Sequence, residues 1–592
     1  MPLTAEMPKC LVKIAGEAII ERALRILASR GIEEAVIVIG HRGDAVRAYL
    51  GTAFAGVALS YIEAPDYATT NNILSLWHAR ETLSEDILLV EGDLVFDAAV
   101  IAALLVTPGS SAAVVSVGRA PLGSKVRVEA PNRIAEFILD GDSQRTDTKG
   151  IHKTANIYHL RRALLVDHVV PRLCHAIAEG HVDQYYESVF RDLVEDGSVT
   201  DFAAVDVSIG RWWEIDDQSD LDVAEFECAS RNEQYDRLKR LHGGFWRYGV
   251  TDHSYMSNMY FPVPELVADL KAKAALIVSN YPVGQEELAR LAAEWTGASP
   301  AHLAIANGSC ELIRVLGRDS IRRVTIPTPT FNEYEIVVAG SQTNQFPVDP
   351  QTLELDVDAF VQSAIAWQSD AAIIASPNNP TGLSVPRERL LDAARALGAQ
   401  GCRLVVDESF IEFSRGGRAQ SVEDVVDEHA NLAVLKSMSK VFGIPGLRLG
   451  YLLSADRAFV GRVRSLLPIW NVNGFAAEFL RIGTLYRDAF ERSCDMTRSS
   501  TRQLDEALSG LPALTPIRSD ANFILCRIAD GAASASEMAR SLYLAHKILV
   551  KDCSTKTMHD GDRYLRIAAR TPEENCRLVL ALESALQVGN RS

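Results

Sequence analysis

Short apolar runs alternate with amphipathic stretches along this chain. Ile19 to Ser29 carries apolar residues at helical spacing, and Gly31 closes it. Glu34-Ala-Val-Ile-Val-Ile39-Gly40 reads as a buried strand. Val57 to Ile62, Ile73 to Arg80 and Ile87 to Val90 continue as strand, helix, strand. Such alternation predicts an α/β domain with a mainly parallel sheet, whose ligands sit at the carboxyl ends of its strands. Further apolar runs lie at Ala304 to Ala306, Ala371 to Ala375, Arg403 to Val406 and Leu432 to Leu435, each followed by small or polar residues. Between the two series, Asn232 to Leu241 is charged and helical, with no Pro/Gly-rich tether. This places a domain boundary near residue 232, giving domains 1–231 and 232–592 and a stiff helical joint.

Length supports that division, since 592 residues exceed what one core serves. The net charge of −17 argues against a nucleic-acid partner, which favours a basic face. Nine scattered Cys, with no C-x-x-C and no metal spacing, suit a reduced cytoplasm. No apolar stretch reaches membrane-spanning length, and no signal-peptide pattern opens the sequence.

The candidate chemistry lies past the apolar runs. Ser437-Met-Ser439-Lys440-Val-Phe-Gly-Ile-Pro-Gly-Leu-Arg448-Leu-Gly450 resembles the lysine loop of the fold-type I, class I/II aminotransferase family, which uses pyridoxal 5'-phosphate. In that resemblance Lys440 supplies the amine for a Schiff base with the cofactor aldehyde. Ser437, Ser439 and Arg448 then face the cofactor phosphate. Gly308 and Ser309, at a strand–helix turn, offer backbone N–H groups to the same phosphate. Phe331 stacks on the ring, Asn379 of Asn378-Asn379-Pro-Thr-Gly382 bonds its oxygen, and Asp407 keeps the pyridinium nitrogen protonated. Arg566 of Tyr564-Leu-Arg-Ile grips the substrate α-carboxylate. Tyr281 of Tyr281-Pro282 reaches a partner subunit's cofactor phosphate, which implies a homodimer through this domain. His242-Gly-Gly and the Asp407-Glu-Ser-Phe410 form are similar to histidinol-phosphate aminotransferase and to threonine-phosphate decarboxylase. Phe410 stands where many aminotransferases carry a Tyr, so decarboxylation is expected rather than transamination.

In the first domain a carboxylate past a buried strand, Asp93, is suited to Mg²⁺. Asp216 is its candidate partner. With Pro8-Lys9 and Lys13 they resemble the sugar-nucleotide-type nucleotidyltransferases. Thr70-Asn71-Asn72-Ile-Leu-Ser75 and Tyr185-Tyr186-Glu187 resemble the branch that uses CTP to activate small phosphoryl alcohols and phosphonates. The resemblance implies Lys9 facing the triphosphate and Asp93 and Asp216 as metal ligands. It also implies Asn71, Asn72 and Ser75 near nucleotide or acceptor, and Glu187 near an acceptor amine. Asn71-Asn72 also fits a helix cap, and Tyr185 and Tyr186 fit packing.

A CTP-dependent domain and a decarboxylase-like domain on one chain resemble the cytidylyltransferase–decarboxylase fusions of fosmidomycin-type phosphonate antibiotic biosynthesis. That implies CMP transfer to 2-amino-4-phosphonobutyrate and decarboxylation to CMP-3-aminopropylphosphonate. Two alternatives stay open: a 2-aminoethylphosphonate cytidylyltransferase fused to a transaminase, and a first domain that only binds nucleotide. Nucleotidyltransferases of this type open with a strand and a Gly-x-Gly-x-Arg loop before the Pro-Leu-Thr segment, whereas this sequence opens at Met1-Pro2-Leu3-Thr4. The expectation is an upstream start, with poor CTP binding and slow transfer by the chain as it stands.

Overall fold

The structure, a computed structural model, describes residues 7–116, 123–139, 150–208, 210–319, 321–336 and 342–589. Residues 1–4, which carry the expectation about the opening loop, lie outside them. The chain divides into two compact units, Met1–Arg237 and Leu238–Ser592.

In the first unit α1 is Ile19–Ala28, β1 Glu34–Ile39, β2 Val57–Glu63, α2 Asn72–His78 and β3 Ile87–Val90. These follow the apolar pattern closely. Strand direction does not. β1 and β2 pair in parallel in a separate three-stranded sheet, in which the short strand Ala53–Phe54 lies antiparallel beside β2. The larger sheet adds β4 (Ser111–Ser116), β5 (Lys125–Glu129), β6 (Arg133–Ile138), β7 (Ile151–Leu160) and β8 (Ala203–Asp206). Its order is β3-β7-β4-β8-β6-β5. Only β4 and β8 run parallel, so the expectation of a mainly parallel sheet is corrected. The reason is β7, ten residues long and antiparallel to β3, β4 and β5. A buried apolar run carries no signal for direction. β1 and β3 each end their sheet, and both line one cavity of about 700 Å³ with α1 and α2.

The second unit opens with β9 (Thr251–His253). Its main sheet contains β10 (Leu303–Ala306), β11 (Val324–Thr328), β12 (Thr343–Pro347), β13 (Ala371–Ala375), β14 (Arg403–Asp407), β15 (Leu432–Ser437) and β16 (Gly450–Leu453). The order is β10-β16-β15-β14-β13-β11-β12, and β16 alone runs against the rest. Alternate residues serve different cores. Ile374, Leu404, Val406 and Val434 pack on one face; Ile373, Val405, Ala433 and Leu435 pack on the other. Burial on both faces explains the unbroken apolar runs, and each such side chain contributes about 1.5–3 kcal/mol. A second sheet joins β9 to β17 (Leu514–Pro516), β18 (Phe523–Ile528), β19 (Ile548–Asp552) and β20 (Tyr564–Ala568), in the order β9-β19-β20-β18-β17.

Candidate active sites

In the second unit the parallel strands deliver their chemistry at one edge. Phe331 follows β11, Asn379 follows β13, Asp407 ends β14, and Lys440 lies just past β15. Register aligns them, with Ala375 beside Asp407 and Asp407 beside Leu435. Lys440 Nζ stands 5.4 Å from the Phe331 ring centre and 4.5 Å from that of Phe410. Burial pulls its pKa down, against the opposing pull of Asp407. The result is an amine readier to lose its proton and attack a carbonyl.

Asp407 is nearly buried, and its carboxylate accepts from Tyr334 Oη at 2.6 Å and from the Ser409 amide at 2.9 Å. Sequence reasoning gave Tyr334 no role, although it lies three residues past Phe331. Gly308, at φ +81°, begins the turn into a helix over Ser309–Asp319. The left-handed φ favours glycine, and a Cβ there would meet Arg448 Nη2 at 2.6 Å, so a larger residue would push the guanidinium aside. Arg448 itself holds a left-handed φ of +57°, a strained conformation kept where function needs it. Ser437 donates its amide to Ser409 Oγ, while the Ser439 hydroxyl is engaged with the Leu449 backbone. Gly308, Ser309, Arg448 and the serine loop thus make a cradle, with helix dipole and cation together, that fits a phosphate.

Arg566, in β20, donates to Asn379 Oδ1 at 2.6 Å and to the Ser254 carbonyl at 2.5 Å. Its Nε is buried with no partner. Lys556 lies in the loop between β19 and β20 and is 9% exposed. It donates to the Thr330 carbonyl at 2.9 Å and to Asn332 Oδ1, either side of Phe331. Burial, and then Arg566, pull its pKa down to about 8. No motif marked Lys556. Tyr281 is placed elsewhere, 80% exposed at the surface, with its ring stacked on Trp470 at 4.3 Å.

In the first unit a two-stranded ladder pairs Leu94–Phe96 with Trp212–Glu214, Glu214 opposite Leu94. This sets Asp93 beside Asp216. Lys9 Nζ bridges them, 2.7 Å from Asp93 Oδ2 and 2.8 Å from Asp216 Oδ1. Partial burial pulls the Lys9 pKa down, but the two carboxylates prevail and raise it. Asp93 Oδ1 is buried with no partner. An orphaned carboxylate oxygen beside a second carboxylate fits a divalent cation, with Asp93 and Asp216 as the residues to hold it.

Asn72, Ser75, Glu91 and Tyr186 line the same cavity as Lys9 and Asp93. Asn71 instead caps α2, accepting from the Asn72 amide at 2.8 Å. Asn72 donates to Glu91 Oε1 at 3.1 Å and accepts from the Tyr186 amide at 2.9 Å. The β3–β7 register sets Asn156 across from Glu91, and its Nδ2 donates to Glu91 Oε2 at 3.0 Å. Tyr186 Oη donates to Glu91 at 3.0 Å, so this ring does more than pack. Burial first, then Glu187, Asp93 and Glu214, push Glu91 up to about 8. Glu187 accepts from Tyr158 Oη at 3.1 Å, keeps one buried oxygen without a partner, and is pushed to about 7 by burial. Crowded into a low-dielectric site, these carboxyl groups hold their protons more tightly, and buried Lys153, its Nζ 3.0 Å from Glu214 Oε2, supplies a cation to the cluster.

The family description Aminotransferase class I and II matches residues 252–582. The chain belongs to that aminotransferase family. A MobA-like NTP transferase domain matches residues 4–155. The chain is therefore an enzyme with a nucleotidyltransferase domain and a pyridoxal-phosphate-dependent decarboxylase/aminotransferase domain. It is 38% identical over 582 residues to the CMP-5'-(3-aminopropyl)phosphonate synthase of Streptomyces rubellomurinus, covering 98% of this chain and 92% of that protein. The L-serine phosphate decarboxylase of Sulfurospirillum multivorans is 30% identical over 57% of this chain and 88% of its own length. The histidinol-phosphate aminotransferase of Sinorhizobium meliloti, solved with pyridoxal-5'-phosphate, shares the aminotransferase fold at a TM-score of 0.52. It is 19% identical, over 59% of this chain and 96% of that one. Among the described residues, no helix is long and apolar enough to cross a membrane.

Proposed function

We propose that residues 1–231 transfer CMP from CTP to the phosphonate of 2-amino-4-phosphonobutyrate, and that residues 232–592 decarboxylate the product to CMP-3-aminopropylphosphonate. The observation that carries this is the near full-length likeness to a CMP-aminopropylphosphonate synthase. The two sites are chemically suited to the two steps. For transfer, a phosphonate oxygen bonds to the α-phosphorus of CTP as the bond to pyrophosphate breaks. Lys9 offers charge to the triphosphate. Mg²⁺, held by Asp93 and Asp216, would neutralise phosphate charge there. Glu187 and Glu91 face the acceptor's ammonium.

In the second unit pyridoxal phosphate, when bound, supplies an electron sink. Asp407, fixed by Tyr334, holds the ring nitrogen's proton. Arg566 binds the α-carboxylate, and Lys440 returns a proton to Cα once CO₂ has left. Phe410 cannot hydrogen-bond the ring oxygen, which leaves that contact to Asn379. Ser437, Ser439, Gly308, Ser309 and Arg448 would hold the cofactor's phosphate, and Phe331 would pack against its ring. We assign the exposed apolar residues Leu276, Val278, Tyr281, Ile469, Trp470 and Leu485 to contact with a second copy of the chain. Their exposures run from 45% to 80%. Nine free cysteines suit a reducing cytoplasm.

The test is mass spectrometry of the products formed from CTP and a panel of amino-phosphonates. Release of CO₂ together with a CMP adduct is the expected result. A keto or aldehyde product without CO₂ would replace the decarboxylase by a transaminase.

A further inference from the structure

Two buried cations, Lys556 beside Thr330 and Asn332 and Arg566 beside Asn379, have no carboxylate within hydrogen-bond contact among the described residues. Arg566 spends its donors on an amide oxygen and a carbonyl, and Lys556 does the same. Neither forms an ion pair among the described residues. Glu335, a carboxylate that acts on Lys556 only at a distance, accepts from Thr557 instead. Cys553, wholly buried, feels both cations, which places them in one neighbourhood. Burying an ammonium among neutral acceptors is costly, and such a group marks a place where an anion arrives. Lys556 has three N–H donors and two protein acceptors, so one donor remains. Its anchors, Thr330 and Asn332, flank the ring beside Lys440.

We propose that Lys556 binds the phosphoryl end of a substrate whose α-carboxylate rests on Arg566, so that Lys556 selects doubly anionic amino acids. This deepens the decarboxylase reading and rests on it. A substrate with one anionic end leaves Lys556 buried and unbalanced, whereas a phosphono amino acid satisfies both cations at once. Selectivity then comes from the penalty on the wrong ligand as much as from attraction to the right one.

The experiment titrates the absorbance of the bound cofactor in the full chain loaded with pyridoxal phosphate, a signal that reads only the Lys440 site and not the transfer site, using 2-amino-4-phosphonobutyrate and 2-aminobutyrate, which lacks the phosphonate. Wild type should bind the phosphonate the more tightly. Lys556→Met should weaken that ligand about tenfold or more and leave 2-aminobutyrate within about twofold. Lys556→Arg should restore the phosphonate to within about threefold. Cofactor absorbance and melting temperature check that each variant is folded, and Lys556→Gln carries the same expectation should the Met variant fail. Equal weakening of both ligands, unchanged phosphonate binding in Lys556→Met, or no wild-type preference would each overturn the proposal. A wild-type chain that prefers the phosphonate through Lys556 and yet releases no CO₂ would sink the decarboxylase reading while leaving this one standing.

Discussion

At the scale of single residues, Lys440 and Asp407 make opposite demands on their surroundings. Lys440 is held with a lowered pKa in a site shared with Arg566 and Arg448, and Asp407 is tied by Tyr334 and the Ser409 amide. Lys440→Ala should abolish the absorption band of lysine-bound cofactor while far-ultraviolet circular dichroism stays unchanged. A band that persists would contradict the role given to Lys440. Tyr334→Phe removes a hydrogen bond to a charged group, worth about 1.5–3 kcal/mol. The variant should keep its cofactor and lose about tenfold to a hundredfold in decarboxylation rate. An unaltered rate would show that Asp407 needs no such support. Lys440, Asp407 and Asn379 were legible in the sequence because each sits inside a contiguous local pattern. Glu91 with Asn156, or Lys556 with Thr330, was not, because the partners lie 65 and 226 positions apart. Their meaning arises only when a strand register or a loop brings them together.

At the scale of elements, the runs that form strands were readable and their directions were not. β1 to β3 fall where the apolar pattern puts them, yet β7 turns the first unit's larger sheet antiparallel. The second sheet of the other unit offers a measurable consequence. His253, at the end of β9, is fully buried; its Nδ1 contacts the Ala568 carbonyl at 2.8 Å and its Nε2 has no partner. Burial pushes its pKa from 6.5 down to about 4. The unfolded chain therefore takes up a proton near pH 6.5 that the folded chain refuses until about pH 4. The stability from the neutral ring is complete above 6.5 and is lost as pH falls toward 4, up to about 3 kcal/mol. Urea unfolding followed from pH 7 to pH 4.5 should show this slope, and His253→Asn should flatten it. An equal slope in the variant would assign the acid sensitivity to other groups.

At the scale of the whole molecule, the exposed stack of Tyr281 on Trp470 is the feature that calls for a partner. Trp470→Glu should shift light scattering from dimer to monomer at micromolar concentration and weaken cofactor retention. A wild-type chain that is monomeric with full cofactor would refute the dimer. The Lys9 bridge has a different consequence, concerning how the two activities answer to divalent ions. With Lys9 seated between Asp93 and Asp216, the transfer site carries its own placeholder cation, so a metal enters by exchange rather than by simple addition. Removing the placeholder should make the nucleotide-free chain a better metal binder. Lys9→Met is expected to take up Mn²⁺ more tightly than wild type, by paramagnetic resonance, even as its CMP transfer falls. A chelator should silence transfer and leave decarboxylation of a supplied CMP adduct running, so that one additive separates two reactions carried on a single chain.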